Sequence, residues 1–284
     1  MRLLVTGAGG MLGREVVDHA SGACEAVVGC DRAALDVGDA AAVSAVVGEV
    51  RPDAIVNCAA FTAVDRCETE VDTAYRVNRD GVAYLAAAAQ RVGARVVHVS
   101  TDYVFDGTKA TGYVETDAPN PQSVYGASKL AGEAALFAAL PDGSLVVRTA
   151  WVFGQHGANM VKTVLRVKDT SPTLRFVDDQ RGSPTSAADL AQVLVRLAGS
   201  TVTGVVHATN AGAVSWFEFV REILRQCGDD PGRVEPISSA DLDPPRPAPR
   251  PANSVLDNRT LRALGWPALR PYEAALADVL AQLH

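Results

Sequence analysis

Several things are scarce in these 284 residues. No apolar run approaches the ~20 residues that a membrane-spanning helix needs. Positive charge is short: 26 lysines and arginines face 33 aspartates and glutamates, a net charge of −7 with a pI near 5.3. There is no basic stripe, which argues against a general nucleic-acid binder. The first residues lack the charged n-region and cleavage site of a signal peptide. Cysteines number five, an odd count without paired spacing. Cys24, Cys30, Cys58, Cys67 and Cys227 therefore read as free thiols in a reducing compartment, and the expected location is the cytoplasm. The five histidines, His19, His98, His156, His207 and His284, form no ligand-like spacing with them, so no structural metal is expected. Internal repeats and long disordered tails are also missing.

What is present is an alternation of short apolar runs and helical stretches. Strands are predicted at 2–6, 26–30, 54–58, 95–99 and 144–149. Helices are predicted near 11–20, 39–49, 68–92, 122–139 and 157–167, then at 186–198, 215–227, 258–264 and 270–283. Alternation of this kind implies βαβ units and a parallel sheet covered on both faces. The fold class is α/β: a Rossmann-like doubly wound parallel sheet with a smaller, discontinuous C-terminal α/β domain. The expected division is 1–151, with a returning segment near 186–210, for the nucleotide-binding unit, and mostly 152–284 for the substrate. The proline-rich stretch from Leu242 to Pro251 reads as a stiff linker or, preferably, as a loop folding over a substrate.

In such sheets ligands bind beyond the carboxyl ends of the strands. The first strand ends in Gly7-Ala8-Gly9-Gly10-Met11-Leu12-Gly13 and opens into a helix. That is the context a dinucleotide fingerprint requires. Gly7 permits a tight turn, Gly10 a close approach to a pyrophosphate, and Gly13 contact between helix and strand. The helix N-terminus offers free N–H groups and a positive dipole end. The second strand ends at Asp31-Arg32, where a carboxylate meets an adenosine ribose and an arginine accepts a 2′-phosphate. Both NADH and NADPH stay open as the cofactor, and so does a plain solvated ion pair. Asp36, with Val37 beside it, is placed near the adenine or at a helix N-terminus. Cys58, Ala59 and Ala60 end the third strand, followed by Thr62 at the cofactor or substrate.

Tyr125 and Lys129 are four apart, so on a helix they share one face. An ammonium near a phenol favours the phenolate and lowers its pKa from ~10. A phenol tuned in this way is a useful general acid near neutral pH. Thr101, in Val99-Ser100-Thr101-Asp102-Tyr103, supplies a hydroxyl to the same place.

The glycine spacing and Tyr125-x-x-x-Lys129 together resemble the extended short-chain dehydrogenase/reductase superfamily. Further segments narrow the likeness: Asn57 to Glu68, Val99 to Gly107, Tyr125 to Glu133, Arg148 to Gly154, Asp179-Gln180-x-Gly182-x-Pro184-Thr185, and Arg250-Pro251-x-Asn253-Ser254. In this order, over nearly the whole chain, they resemble the dTDP-4-dehydrorhamnose reductase family. The resemblance implies NAD(P)H-dependent reduction of the 4-keto group of a dTDP-6-deoxyhexose, giving dTDP-L-rhamnose in the rhamnose case. It implies Tyr125 as proton donor, Thr101 as holder of the developing oxyanion, and Lys129 as partner of Tyr125 and of the nicotinamide ribose. Asn78 either continues a proton relay or sits on a helix surface.

On the substrate side the same resemblance points to Tyr103, Trp151, Asn159, Gln180 and Arg250. A core tryptophan, loop-capping amides and a surface arginine are the alternatives. Tyr103 stands where nucleotide-sugar 4,6-dehydratases carry a glutamate, which argues against dehydration. An epimerase remains open, as does a non-catalytic subunit like the β-subunit of methionine adenosyltransferase. Glu15 with Asp189 offers too few acids for a metal-bridged dimer, and no metal is expected. The expected partner is the dTDP-sugar, for a monomer or homodimer.

Overall fold

In the computed structural model, residues 1–283 are described, and His284 lies outside them. Strand β1 (Arg2–Thr6) runs into the glycine turn and helix α1 (Met11–Ser21). Strand β2 (Ala26–Cys30) leads to α2 (Ala40–Val50), whose first turn is capped by the Asp39 carboxylate accepting from the Ala41 and Ala42 N–H groups. After β3 (Ala54–Asn57) come two short helices, α3 (Val64–Cys67) and α4 (Val71–Tyr75). A π-helical turn at Arg76–Asp80 joins α4 to α5 (Gly81–Val92). Strand β4 (Arg95–Thr101), α6 (Val124–Ala139) and β5 (Ser144–Thr149) complete the first half. A sixth strand, Gly204–His207, returns to the sheet after a helix at Ala187–Ala198.

The sheet order is β2-β1-β3-β4-β5 and then Gly204–His207, all parallel. The chain leaves β1 toward one edge and returns to its other side as β3. This reversal opens a crevice at the carboxyl ends of β1 and β3, the binding place of doubly wound sheets.

Both faces of the sheet are buried, and successive side chains explain how. Leu3 and Val5 enter a core shared with α1 and the helix Ala187–Ala198. Leu4 points the other way, into a core built with α2, α5 and α6. Each fully buried leucine or valine contributes about 1.5–3 kcal/mol. A third core gathers Phe153, Val161, Phe219, Ile223, Leu276 and Leu280 from the later part of the chain.

The predicted helix over 68–92 is divided. Glu68 turns its carboxylate away to accept the Val124 N–H at 2.9 Å, capping the start of α6. The π turn then carries one extra residue per turn, and Asn78 in it is fully buried. Strand β4 runs two residues beyond its predicted end, bringing Thr101 into the sheet. Leu242–Pro251 is tied down at its end: the Ala248 N–H and the Arg250 guanidinium both reach the Asp65 carboxylate of α3.

Candidate active site

Two cavities of about 450 and 500 Å³ lie side by side at the crevice and share Gly7, Gly10, Cys58 and Ala60. The glycine turn between them leaves no room for side chains. Gly7 has φ +69°, and a Cβ there would sit 2.7 Å from the Ala59 nitrogen. A Cβ on Gly13 would lie 2.2 Å from the Gly7 carbonyl oxygen. Backbone N–H groups at the start of α1 are thus left bare beside the cavities, a cradle suited to a pyrophosphate.

The second cavity takes Asp31, Arg32, Asp36, Val37 and Ala59. The Asp31 carboxylate accepts the Ala33 and Ala34 N–H groups at 2.9 Å. Asp36 is held below the usual carboxylate range by the Gly38 N–H, opposed by burial and helped by the Arg76 guanidinium at 2.9 Å. Sequence reasoning missed Phe61 in the loop after β3, Thr73 in α4 and Val77 in the π turn, which also line this cavity.

Met11, Leu12, Thr62, Thr101, Tyr103, Tyr125, Lys129 and Trp151 line the first cavity. Ser123 caps α6 by accepting the Gly126 N–H, and this fixes Tyr125 in the helix's first turn. Gly126 and Gly132 let α6 lie against its neighbours: a Cβ on either would come within 2.1 Å of a carbonyl oxygen, that of Tyr103 or Asn78. Thr101 donates to Asp102 Oδ1 at 2.9 Å and accepts the Tyr103 N–H at 3.2 Å. The Tyr125 phenol and the Thr101 hydroxyl line the same cavity. The Tyr103 and Tyr125 rings meet edge to face, with centroids 5.5 Å apart. Hydroxyl, phenol and ammonium residues therefore converge on one cavity beside the glycine cradle.

The nearest partners of Lys129 lie behind the cavity. Its Nζ donates to the Val99 carbonyl at 2.7 Å and meets His98 Nε2 at 3.2 Å. Burial pushes the Tyr125 phenol above its usual range, and the Thr101 hydroxyl only partly offsets this. Burial lowers Lys129 to about 8, against the pull of Glu133. It raises Tyr103 to about 12 and Asp102 to about 6. Asp102 Oδ2 is buried with no hydrogen-bond partner among the described residues.

Four predicted residues lie outside both cavities. Asn78 is buried, not on a helix surface. It clamps the Phe61 peptide, accepting its N–H at 2.8 Å and donating to its carbonyl at 3.1 Å, and also donates to Ser128 Oγ at 3.0 Å. Asn159 caps the helix Met160–Val167 and donates to the Gly154 carbonyl, which uses up its amide. Gln180 is buried and donates to Ser239 at 2.6 Å. Arg250 pairs with Asp65 at 2.8 Å while its side chain is only 8% exposed. Burial works against Asp65, yet Arg250 and the Ala248 N–H hold it below the usual range.

Trp151 has a left-handed φ of +47°. Its ring stacks on Trp216 with centroids 3.5 Å apart and 4° between planes. Gly182 lies beneath the indole, where a Cβ would come within 2.3 Å. Trp216 was missed in the sequence because it opens a strongly amphipathic helix, Trp216–Gln226, and reads there as core. Glu15 accepts from Gln155 Nε2 at 3.2 Å, with His156 Nε2 at 3.9 Å.

The chain is similar to known proteins over its whole length. The chain matches the RmlD substrate binding domain family over residues 1–284. It is 45% identical to a dTDP-4-dehydrorhamnose reductase of Streptomyces griseus, covering 98% of this chain and 92% of that protein. A crystal structure of a dTDP-4-dehydrorhamnose reductase from Clostridium acetobutylicum superposes with a TM-score of 0.95 at 41% identity, covering 100% and 99% of the two chains. The Bacillus anthracis enzyme in complex with NADP gives 0.94 at 36% identity, covering 99% of each.

Proposed function

The chain belongs to the dTDP-4-dehydrorhamnose reductase family, and on that premise we propose how its residues carry out that reaction. It is an NAD(P)H-dependent oxidoreductase of the 4-keto group of a dTDP-4-dehydro-6-deoxyhexose. The substrate is dTDP-4-dehydrorhamnose and the product dTDP-L-rhamnose. What carries the reading is the convergence of Thr101, Tyr125 and Lys129 on one cavity that opens onto the glycine cradle.

The bare N–H groups of the cradle hold the cofactor's pyrophosphate. Met11, Leu12, Cys58, Ala59, Ala60 and Thr62 wall it on the side of the first and third strands. Asp31 and Arg32 take the adenosine ribose or its 2′-phosphate, with Asp36 and Val37 by the adenine. The reduced nicotinamide, when bound, supplies hydride to C4 of the sugar. Tyr125 donates its phenolic proton to the sugar O4 as negative charge grows there. An alkoxide is a far stronger base than a phenolate, so a phenol held above ~10 by burial still donates. Thr101 hydrogen-bonds the same oxygen. Lys129, as the ammonium, favours the phenolate that Tyr125 leaves behind and meets the nicotinamide ribose.

Tyr103 and the Trp151–Trp216 stack form the sugar side of the cavity. Asn78 holds the Phe61 loop rather than carrying protons. Asn159 and Gln180 shape the wall from behind, and Arg250 reaches a diphosphate only by sharing or leaving Asp65. Residues 1–151, with the returning segment near 186–210, hold the cofactor, and the rest mainly the sugar nucleotide. The enzyme works as a monomer or homodimer in the cytoplasm. No helix of the described residues is long and apolar enough to cross a membrane. The net charge of −7 favours no nucleic-acid partner.

The test is NADPH oxidation, followed by its absorbance, with dTDP-4-dehydrorhamnose. Stoichiometric loss of NADPH and appearance of dTDP-L-rhamnose are expected. Interconversion of sugar epimers without net NADPH loss overturns the reductase in favour of an epimerase. No turnover together with a stable complex with another protein favours a regulatory subunit.

A further inference from the structure

Behind Lys129 a line of buried polar groups crosses three strands, and no step of the reaction uses it. Thr6 on β1 donates to Asn57 Oδ1 at 2.6 Å. Asn57, at the end of β3, meets His98 Nδ1 on β4 through its Nδ2 at 2.9 Å. His98 Nε2 then meets Lys129 Nζ at 3.2 Å. Thr6, Asn57 and His98 are all buried, and Lys129 is 2% exposed.

The direction of these bonds is set at one end by the backbone. The Ala59 N–H donates to Asn57 Oδ1 at 3.1 Å. A backbone N–H only donates, so Oδ1 must face it and Nδ2 must face the imidazole. Nδ2 only donates, so His98 Nδ1 must accept. A neutral imidazole that accepts at Nδ1 carries its hydrogen on Nε2. Imidazolium would set N–H against N–H at both ends, and burial also drives His98 far toward the neutral form. The Nε2–H group therefore points at Lys129 Nζ. An ammonium has no lone pair to receive it; a free amine does.

We propose that Asn57 and His98 are positioning residues that act through Lys129, offering it a hydrogen-bond donor and so biasing it toward the free amine before the cofactor binds. The amine keeps two N–H groups, one for the Val99 carbonyl and one for the cavity. Cofactor ribose hydroxyls are acceptors as well as donors, so their arrival favours proton uptake by Lys129. The titratable groups facing Lys129 are His98 on β4, Cys58 after β3, and Tyr125 and Glu133 on its own helix. Glu133 is already paired with Arg148 at 2.6 Å. Cys58 is pushed up to about 12 by burial and stays a neutral thiol. The inference deepens the proposed reductase reading, because the ammonium is the form that Tyr125 needs. Turnover should then fall on the alkaline side, above the value of about 8 to which burial lowers Lys129 in the cofactor-free site.

The test pairs a spectroscopic reading of the cofactor-free enzyme with one substitution. Long-range proton–nitrogen NMR reports which imidazole nitrogen of His98 bears hydrogen, with the ring assigned by its loss in His98→Gln or its shift in Asn57→Asp. In the unsubstituted protein Nε2–H with bare Nδ1 is expected. Asn57→Asp replaces the obligate donor by an acceptor. It should flip His98 to Nδ1–H, turn the Nε2 lone pair toward Lys129, and move the alkaline limb of kcat up by about one pH unit or more. An Nδ1–H ring or an imidazolium in the unsubstituted protein overturns the proposal. So does a limb that moves while the tautomer stays, since the added charge alone would then explain it. Lack of any keto-sugar reduction would sink the reductase reading instead, and the two tautomer measurements would still decide this one.

Discussion

Tyr125 loses only its phenolic oxygen in Tyr125→Phe, and the ring keeps its edge contact with Tyr103. Positioned general acids contribute about 10²–10⁴-fold. kcat should fall by that factor while NADPH affinity, measured by fluorescence titration, barely moves. An equal loss in both would mean that the phenol binds cofactor rather than moving a proton. Asp102 carries the opposite balance of stability and activity. Burial raises its carboxyl from 3.8 to about 6, so the folded state binds that proton more tightly than the unfolded chain. Stability from this group is present at low pH and is lost as pH rises from about 4 to 6. At neutral pH the buried charge costs on the order of 2–3 kcal/mol. Asp102→Asn should recover part of that in denaturant melts at pH 7 and flatten their pH dependence. Turnover should fall far less than in Tyr125→Phe, because the new amide oxygen still accepts from the Thr101 hydroxyl. A less stable variant at pH 7 would refute this balance.

At the scale of elements, the site depends on how closely α6 approaches the π turn. Gly132→Ala places a methyl 2.1 Å from the Asn78 carbonyl oxygen. That oxygen belongs to the backbone of a buried turn and cannot move aside cheaply. The helix must retreat, at about 1–3 kcal/mol, and it carries Tyr125 and Lys129 with it. A lower urea midpoint and a lower kcat should appear together. A loss of stability with kcat intact would separate helix position from chemistry. The amphipathic pattern over 68–92 was legible as helix, but the π turn was not. An extra residue in one turn leaves no periodic mark over five residues. It is stabilised by contacts from Phe61 and Ser128, which lie 17 and 50 positions away.

Across the whole molecule, the late segment Leu242–Pro251 reaches back to the first half through Asp65. The pair is partly screened, with Asp65 42% exposed, but Arg250 is only 8% exposed. Asp65→Ala leaves that guanidinium without its charge partner and frees the Ala248 N–H. Faster proteolysis within Leu242–Pro251 is the expected result. KM for the dTDP-sugar should change while NADPH affinity is kept, because the strap lies on the sugar side. Unchanged proteolysis would show that the proline-rich segment holds itself in place.

The sequence alone determined the alternating α/β order, the five leading strands, the glycine turn and the family, since these follow from local periodicity, glycine conformational freedom and contiguous motifs. The fold decided matters that involve residues far apart in the chain. It stacked Trp216 on Trp151, turned Asn159 and Gln180 into supports, and returned Gly204–His207 to the sheet edge. It also set Lys129 against His98 and the Val99 carbonyl. Hydrogen-bond direction and burial are properties of neighbours in space, and a buried amine or carboxyl takes its protonation state from them. Spacing along the chain brought Thr101, Tyr125 and Lys129 to one cavity, and only packing across β1, β3 and β4 settled the polarity of the groups behind it.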